Sequence, residues 1–251
     1  MYFGIEKWLD RINKTHILVS SVNEYTDTSK MMRADKRLRR ISNSVHLSYE
    51  ALRREEEKLV ITVGRLTAAK NPQLWLDVIE EACNLEHGLR FVWVGDGEYR
   101  EYIETQAKER RLPLTITGWM ERPDIEAWYR RCSVYVQLSL WEGLPLAVLE
   151  AMAAECAIVV SDIPAHRELI RHGANGYIAL NRNEAVQAIL SLIDSPRTCR
   201  QFGHAAREVV EEKYSIRQFS AQIRQYYNSI LDGGAKYDRT HSISVGHHTM
   251  L

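Results

Sequence analysis

A chain of 251 residues is long enough to enclose a full hydrophobic core, as one large domain or two small ones. Lys+Arg and Asp+Glu both number 33, so no global field draws it to nucleic acid, and an anion site has to be built locally. No uninterrupted apolar segment of about 18 residues occurs, which speaks against a membrane span but not against a peripheral membrane contact. Cys83, Cys132, Cys156 and Cys199 lie far apart with no C-x-x-C pair and no secretory leader, so reduced thiols in a cytoplasm are expected.

In chain order, residues 5–47 offer a helix-like "IEKWLDRI", a strand-like "HILVSSV" and a basic run "MMRADKRLRR", too little for a domain. The basic run Arg33 to Arg40 reads as a solvated helix face in preference to an anionic-membrane contact. From Leu59 onward, strand patterns ("LVITV", "FVWV", "LTIT", "VYVQL", "AIVV", "YIAL") alternate with amphipathic stretches such as "PQLWLDVIEEAC" and "EYIETQAKERR". This predicts an α/β fold: a single Rossmann-like domain with a parallel sheet over residues 57–195, flanked by helices. Residues 196–231 read as helices that pack back on a neighbouring surface, and residues 232–251, with Gly233, Gly234 and a His-containing polar end, as a disordered tail. Ligands of such sheets sit beyond the carboxyl ends of the strands.

The loops there hold the candidate chemistry. In "GRLTAAKNP", Gly64 allows a sharp exit from the strand, Asn71 is a good N-cap and Pro72 suits the first helical position. Arg65 and Lys70 then flank a strand-to-helix loop and could grip a diphosphate, the rival being a solvated basic loop. "VWVGDGEYR" places Gly95 and Gly97 after a strand, where backbone could approach a ligand, yet it lacks the full dinucleotide fingerprint, so an NAD site is not supported. In "TITGWMERPD", Trp119 and Met120 could lie along a flat base, or pack.

"SLWEGLPLAVLEAMA" is the sharpest stretch. Pro145 suits a first helical turn, so a helix begins near Leu144 or Pro145, with Glu142 in the loop before it. Free N–H groups at Leu146 to Val148 make its terminus attractive to anions. Glu150 follows about five residues in, roughly 7.5 Å along the axis, inside an apolar helix where a carboxylate needs a partner. Two carboxylates flanking a diphosphate could accept from sugar and ribose hydroxyls, against the alternatives of dipole compensation and a solvated face. Further on, His166 reads as structural, and Arg167 with Glu168 as a helix-surface pair. Nothing has zinc-ligand spacing, and no Asp-x-Asp pair occurs.

Taken together, "VGRLTAAKN", "VGDGEYR", "ITGW", "LSLWEGLPLAVLEAMA" and "SDIPAHRELIRHGANGY" resemble, in order and spacing, the donor-binding C-terminal half of the family 4 retaining glycosyltransferases of GT-B fold. The resemblance covers Leu59 to Leu180 and carries an E-x7-E pair, Glu142 and Glu150. It implies that Gly64, Arg65 and Lys70 contact the donor diphosphate and stabilise the leaving nucleotide in place of a metal. Glu142 with Gly143, Leu144, Pro145 and Leu146 would face donor sugar and phosphate, Glu150 would hold the ribose, and Gly97, Trp119 and Met120 would contact the base. No cofactor and no metal are expected, since the nucleotide-diphosphate sugar is itself the substrate.

The same resemblance makes residues 1–56 a remnant of an N-terminal domain plus an interdomain link, with Ser44 and His46 where the family has Gly and Asp. Most of the acceptor-binding domain is then missing, or supplied by a membrane-associated partner protein at the inner face of the membrane. The expected work is polysaccharide, lipopolysaccharide or glycolipid assembly. A non-catalytic nucleotide-sugar-binding or regulatory module is the alternative, and an epimerase of similar fold a third. Glu155 and Ala157 replace the family's Gly and Pro, and a left-handed helix end at Glu155 would cost on the order of 1 kcal/mol.

Overall fold

The computed structural model describes residues 16–31, 37–46 and 58–231. The chain enters through β1 (Ile17–Val19), α1 (Val22–Met31) and β2 (Leu38–Arg40), then β3 (Leu59–Val63) and α2 (Pro72–Leu85). It continues through β4 (Arg90–Val94), α3 (Arg100–Glu109), β5 (Leu114–Ile116), α4 (Arg122–Arg131) and β6 (Val134–Gln137). Last come α5 (Leu146–Ala153), β7 (Ala157–Ser161), α6 (Pro164–Leu169), β8 (Tyr177–Ala179), α7 (Arg182–Ile193), α8 (Pro196–Lys213) and α9 (Ile216–Leu231). Each expected strand from Leu59 onward is present, with ends shifted by at most one residue.

These strands form one sheet of six in the order β5-β4-β3-β6-β7-β8, parallel throughout. A parallel sheet is covered on both faces, which is why β3 and β6 are buried at every position and read as continuous apolar runs. One core holds Trp75, Leu76, Ile79, Phe91, Trp93 and Ile189, and the opposite one Ile61, Val92, Tyr135, Leu149, Met152 and Ile158. Alternate residues of a strand serve opposite faces, so Val60 joins the first core and Leu59 and Ile61 the second. The α/β expectation with a parallel sheet and flanking helices holds.

The segment before β3 differs from the pattern its residues suggest. Leu38–Arg40, the end of the expected solvated helix face, is a strand: β2 pairs in parallel with β1, Ile17 opposite Leu38, and Leu38 is buried. Two arginines in three residues carry no strand signal, and only the neighbouring strand satisfies their backbone. The helix-like segment 5–12, residues 32–36 of the basic run, the link beyond His46 up to 57 and the tail 232–251 lie outside the described residues. At the other end, α9 buries Tyr226, edge-on to His16 at 5.9 Å between ring centroids, while Tyr227, Ile230 and Leu231 stay exposed.

The helix end anticipated at Glu155 is left-handed, with φ of 55°. Its Oε1 lies 3.6 Å from Arg207 Nη1, a long contact to a largely buried guanidinium that Glu211 and the Ala153 carbonyl also hold, so its loss costs about 0.5 kcal/mol. Relief of the backbone cost, about 1 kcal/mol, outweighs that loss, so Glu155→Gly is expected to stabilise the protein by about 0.5 kcal/mol in urea unfolding. A lowered denaturation midpoint would contradict this.

Candidate functional site

Between β3 and β6 the sheet changes direction of growth: the chain leaves β3 for β4 on one side and β6 for β7 on the other. The loops beyond these two strands therefore diverge and leave a crevice at the carboxyl edge, the usual ligand position in such sheets. One loop is Gly64–Asn71 and the other Leu138–Pro145, so two motifs about 70 residues apart in sequence meet there.

The first loop is pinned by the protein's own backbone. The Trp93 indole N–H donates to the Gly64 carbonyl at 2.9 Å, and Leu66 N–H to that of Asp96 at 2.9 Å. A Cβ on Gly97 would stand 2.4 Å from Leu66 O, and one on Gly95 2.2 Å from Gly64 O. Where the sequence suggests that these glycines admit a ligand, the structure shows them admitting the neighbouring loop. A 3₁₀ turn, Ala68–Lys70, then leads into α2. Asn71 does not cap α2 with its side chain as expected: it sits left-handed at φ 51° and makes no capping hydrogen bond, whereas Pro72 takes the expected first position.

Leu140 N–H donates to Ala69 O at 2.8 Å and ties the second loop to the first. Lys70 Nζ thereby comes within 2.8 Å of Glu142 Oε1, both side chains 16% exposed. The same carboxylate oxygen accepts from Ser139 Oγ at 2.7 Å and Gln137 Nε2 at 3.0 Å. Gln137 and Ser139 are buried, as are Tyr135 and His166 behind them. Tyr135 donates to Gln137 Oε1 at 2.7 Å, and His166 lies 3.4 Å from Gln137 through Nε2 and 2.8 Å from the Ser161 carbonyl through Nδ1. Burial pushes the imidazole down to about 4 and the Tyr135 phenol well above its usual range. Arg65 is exposed and makes no ion pair among the described residues.

Helix α5 starts at Leu146, a residue or two later than expected, with Pro145 as its cap residue. Val148 N–H is taken by the Pro145 carbonyl, so of the three expected free groups Leu146 and Ala147 remain without an acceptor among the described residues. Glu150 projects from the same helix and accepts from Tyr129 OH at 3.1 Å, the partner its apolar surroundings require. Burial raises its carboxyl above the ordinary range, partly offset by that hydrogen bond. Beside it opens a cavity of 260 Å³ lined by Trp119, Met120, Ile125, Tyr129, Glu150 and Ala153. Trp119 is 73% exposed at its edge and so is not a packing residue.

Two features carry only a weak signal in the sequence. Ser21 and Glu24 form a capping box at the start of α1: Ser21 Oγ accepts from Glu24 N–H, and Glu24 Oε2 from the N–H of Ser20 and Ser21. The other Glu24 oxygen lies where a Cβ on Gly143 would be 2.6 Å away, so glycine there lets α1 approach the second loop. Arg167 and Glu168 do not pair as expected: Arg167 holds Asp162, while Glu168 accepts from Val22 N–H at 2.9 Å and Arg40 Nη1 at 3.2 Å, clamping the first segment onto α6. The S-x-x-E spacing is the available signal for the cap, and a glutamine within the apolar "VYVQL" is the signal for the buried network.

None of the four cysteines is joined in a disulfide, and the buried Cys132 and Cys156 sulfurs lie 3.3 Å apart. Among the described residues, no group of three His, Cys, Asp or Glu is placed to hold a metal ion, and no helix is long and apolar enough to cross a membrane.

Comparison with known proteins agrees with this architecture. Over 194 residues, 75% of this chain and 39% of the relative, the sequence is 26% identical to a poly(ribitol-phosphate) alpha-N-acetylglucosaminyltransferase of Staphylococcus aureus. It is 30% identical over 179 residues, 69% of this chain and 49% of the relative, to a GalNAc-alpha-(1->4)-GalNAc-alpha-(1->3)-diNAcBac-PP-undecaprenol alpha-1,4-N-acetyl-D-galactosaminyltransferase of Campylobacter jejuni. A TarM variant of S. aureus, crystallised with fondaparinux, alpha-GlcNAc-glycerol and UDP, superposes with a TM-score of 0.79 at 23% identity over 85% of this chain and 44% of that one. The chain thus spans half or less of the length of these relatives. The family of glycosyl transferases group 1 matches residues 48–209, more than half of the sequence, and the chain belongs to that family.

Proposed function

We propose that this chain is the donor-binding half of a retaining, metal-independent GT-B glycosyltransferase of family 4, taking a nucleotide-diphosphate hexose. The observation that carries the reading is the meeting of Lys70 with Glu142 in the crevice between β3 and β6, with the start of α5 and Glu150 alongside. Lys70 and Arg65 neutralise the diphosphate, Gly64 lies under Lys70, and the Leu146 and Ala147 N–H groups add the positive end of α5. Glu142, Gly143, Leu144 and Pro145 face the sugar, Glu150 accepts from the ribose, and Trp119 and Met120 flank the base in the adjoining cavity. Gly97 acts at one remove, by letting the diphosphate loop close.

In the transfer, the bond between the anomeric carbon and the diphosphate oxygen breaks and a bond from the acceptor oxygen forms on the same face. The acceptor proton passes to the departing phosphate oxygen, and Lys70 stabilises the charge that grows there. Nucleotide specificity for uridine is favoured by the UDP found in the TarM neighbour. The acceptor is a cell-envelope polymer or lipid-linked glycan, as the names of the relatives suggest. It is bound by a first domain that lies elsewhere in a longer protein or on a separate, membrane-associated partner. Residues 16–31 and 37–46 provide the surface on which that domain sits, at the cytoplasmic face of the membrane.

Calorimetric titration of UDP, GDP and ADP tests this. Saturable uptake of UDP in preference to the others is expected, and Glu150→Ala should weaken it about tenfold through loss of a charge-assisted hydrogen bond. Glu150 is raised by burial and binds ribose as a carboxylate, so affinity should fall as pH drops through a window just above the usual carboxylate range. Glu150→Gln should flatten that dependence. No uptake of any nucleotide would sink the donor-site reading.

A further inference from the structure

Gln137 is a polar residue at the end of the central strand β6, 1% exposed, with partners at both ends of its amide. The two hydrogens on Nε2 face Glu142 Oε1 at 3.0 Å and His166 Nε2 at 3.4 Å, and its carbonyl oxygen faces the Tyr135 hydroxyl at 2.7 Å. The orientation of the amide follows from its surroundings. Turned over, it would set its carbonyl oxygen against the Glu142 carboxylate, which can only accept, whereas the Tyr135 hydroxyl can donate or accept, so Glu142 is the group that fixes the amide.

The tautomer of His166 follows from the same accounting. Its Nδ1 lies 2.8 Å from the Ser161 carbonyl, which can only accept, so the proton is on Nδ1 and Nε2 is left bare to accept from Gln137. Ser161 Oγ in turn donates to the Ser139 carbonyl at 2.6 Å, next to the Ser139 hydroxyl that also binds Glu142. A second proton on the ring would point a donor at a donor and turn the amide away from Glu142. The charged groups near the ring are Glu142 and Lys70, which act in opposite senses, and burial pushes it down to about 4, so the ring is neutral at ordinary pH.

We infer that Gln137 is a positioning residue of the donor site: with its amide held between Tyr135 and neutral, Nδ1-protonated His166, it fixes Glu142 and so aims Lys70 at the donor diphosphate. The inference rests on the donor-site reading above. It assigns to β6 and α6 a function in diphosphate recognition although Gln137 and His166 are both buried behind Glu142. A merely structural glutamine would affect stability and treat a diphosphate and a monophosphate alike. A positioning glutamine affects the diphosphate.

The test combines histidine ¹⁵N spectroscopy with calorimetry on the full chain. In the native protein His166 should show the Nδ1–H tautomer and stay neutral to below about pH 5. Gln137→Leu, which keeps the volume and removes the amide, should weaken UDP binding about tenfold and change UMP binding less than about twofold. Gln137→Glu, which places a second carboxyl against Glu142, should weaken UDP at least as much. An Nε2–H tautomer in the native protein, or a folded Gln137→Leu variant with native UDP affinity, would overturn the inference while leaving the donor site standing. If Gln137→Leu fails to fold, the tautomer and the Gln137→Glu titration decide. Failure of the native chain to bind UDP overturns the donor-site reading and this assignment with it.

Discussion

Lys70→Ala is expected to weaken UDP binding by about ten- to a hundredfold while leaving UMP nearly unaffected, the largest functional loss among single substitutions at this site. The ammonium is the cation held 2.8 Å from Glu142 at the crevice, in a setting where each side chain is only 16% exposed and solvent screens weakly. Its stem lies across Gly64, where a Cβ would come 3.1 Å from Lys70 Cε, so the glycine makes room for this lysine. Removing the cation leaves Glu142 with its bonds from Ser139 and Gln137 but with no counter-charge, and the carboxylate then repels the incoming diphosphate. Lys70→Arg should restore affinity only in part, since a planar fork is wider than an ammonium in the space above Gly64. Isothermal calorimetry with UDP and UMP checks all of these, and an unchanged UDP affinity in Lys70→Ala would remove Lys70 from the diphosphate site.

Gly95→Ala should produce the largest loss of stability, more than about 4 kcal/mol, or no soluble protein. Two penalties coincide. The residue has φ of 144°, which side chains rarely adopt, and the added Cβ would stand 2.2 Å from the Gly64 carbonyl oxygen, a backbone atom that cannot rotate away. Gly95 also belongs to the bridge with Gly118 that holds together the loops after β4 and β5. The control is Gly173→Ala: φ is 74° and nothing lies within 4 Å of the added carbon, so only the backbone term of about 1 kcal/mol applies. Urea unfolding of both variants separates clash from strain. Equal midpoints would show that the loops yield, and would remove close packing as the reason for glycine at position 95.

The consequences of these two variants connect the sheet to the site. Gly95 lets the loop after β4 press on Gly64, Gly64 carries the stem of Lys70, and Lys70 meets Glu142. A defect at position 95 is therefore expected to reach the diphosphate loop in any molecule that still folds.

Much of this architecture is legible in the order of the amino acids alone. Val, Ile and aromatic runs of four or five residues fix strands wherever both faces of a sheet will be covered, so β3, β4, β6 and β7 follow from local chemistry, and the alternation with amphipathic helices fixes their parallel order of assembly. Pro72 and Pro145 mark two helix starts to within a residue or two, because a fixed φ and a missing N–H suit the first turn. A carboxylate inside "LAVLEAMA" signals a need for a partner. What the sequence leaves undecided is every relation between residues far apart: that Tyr129 is the partner of Glu150, that Lys70 meets Glu142, that Glu168 reaches back to Val22 and Arg40, and that "LRR" is a strand. The glycines at 95 and 97 show where backbone comes close, but only the folded chain decides that the close neighbour is Gly64 and Leu66. Local propensity acts over a few residues, whereas hydrogen bonds and ion pairs across a crevice are chosen by which strands lie side by side, and that choice is made by the core as a whole.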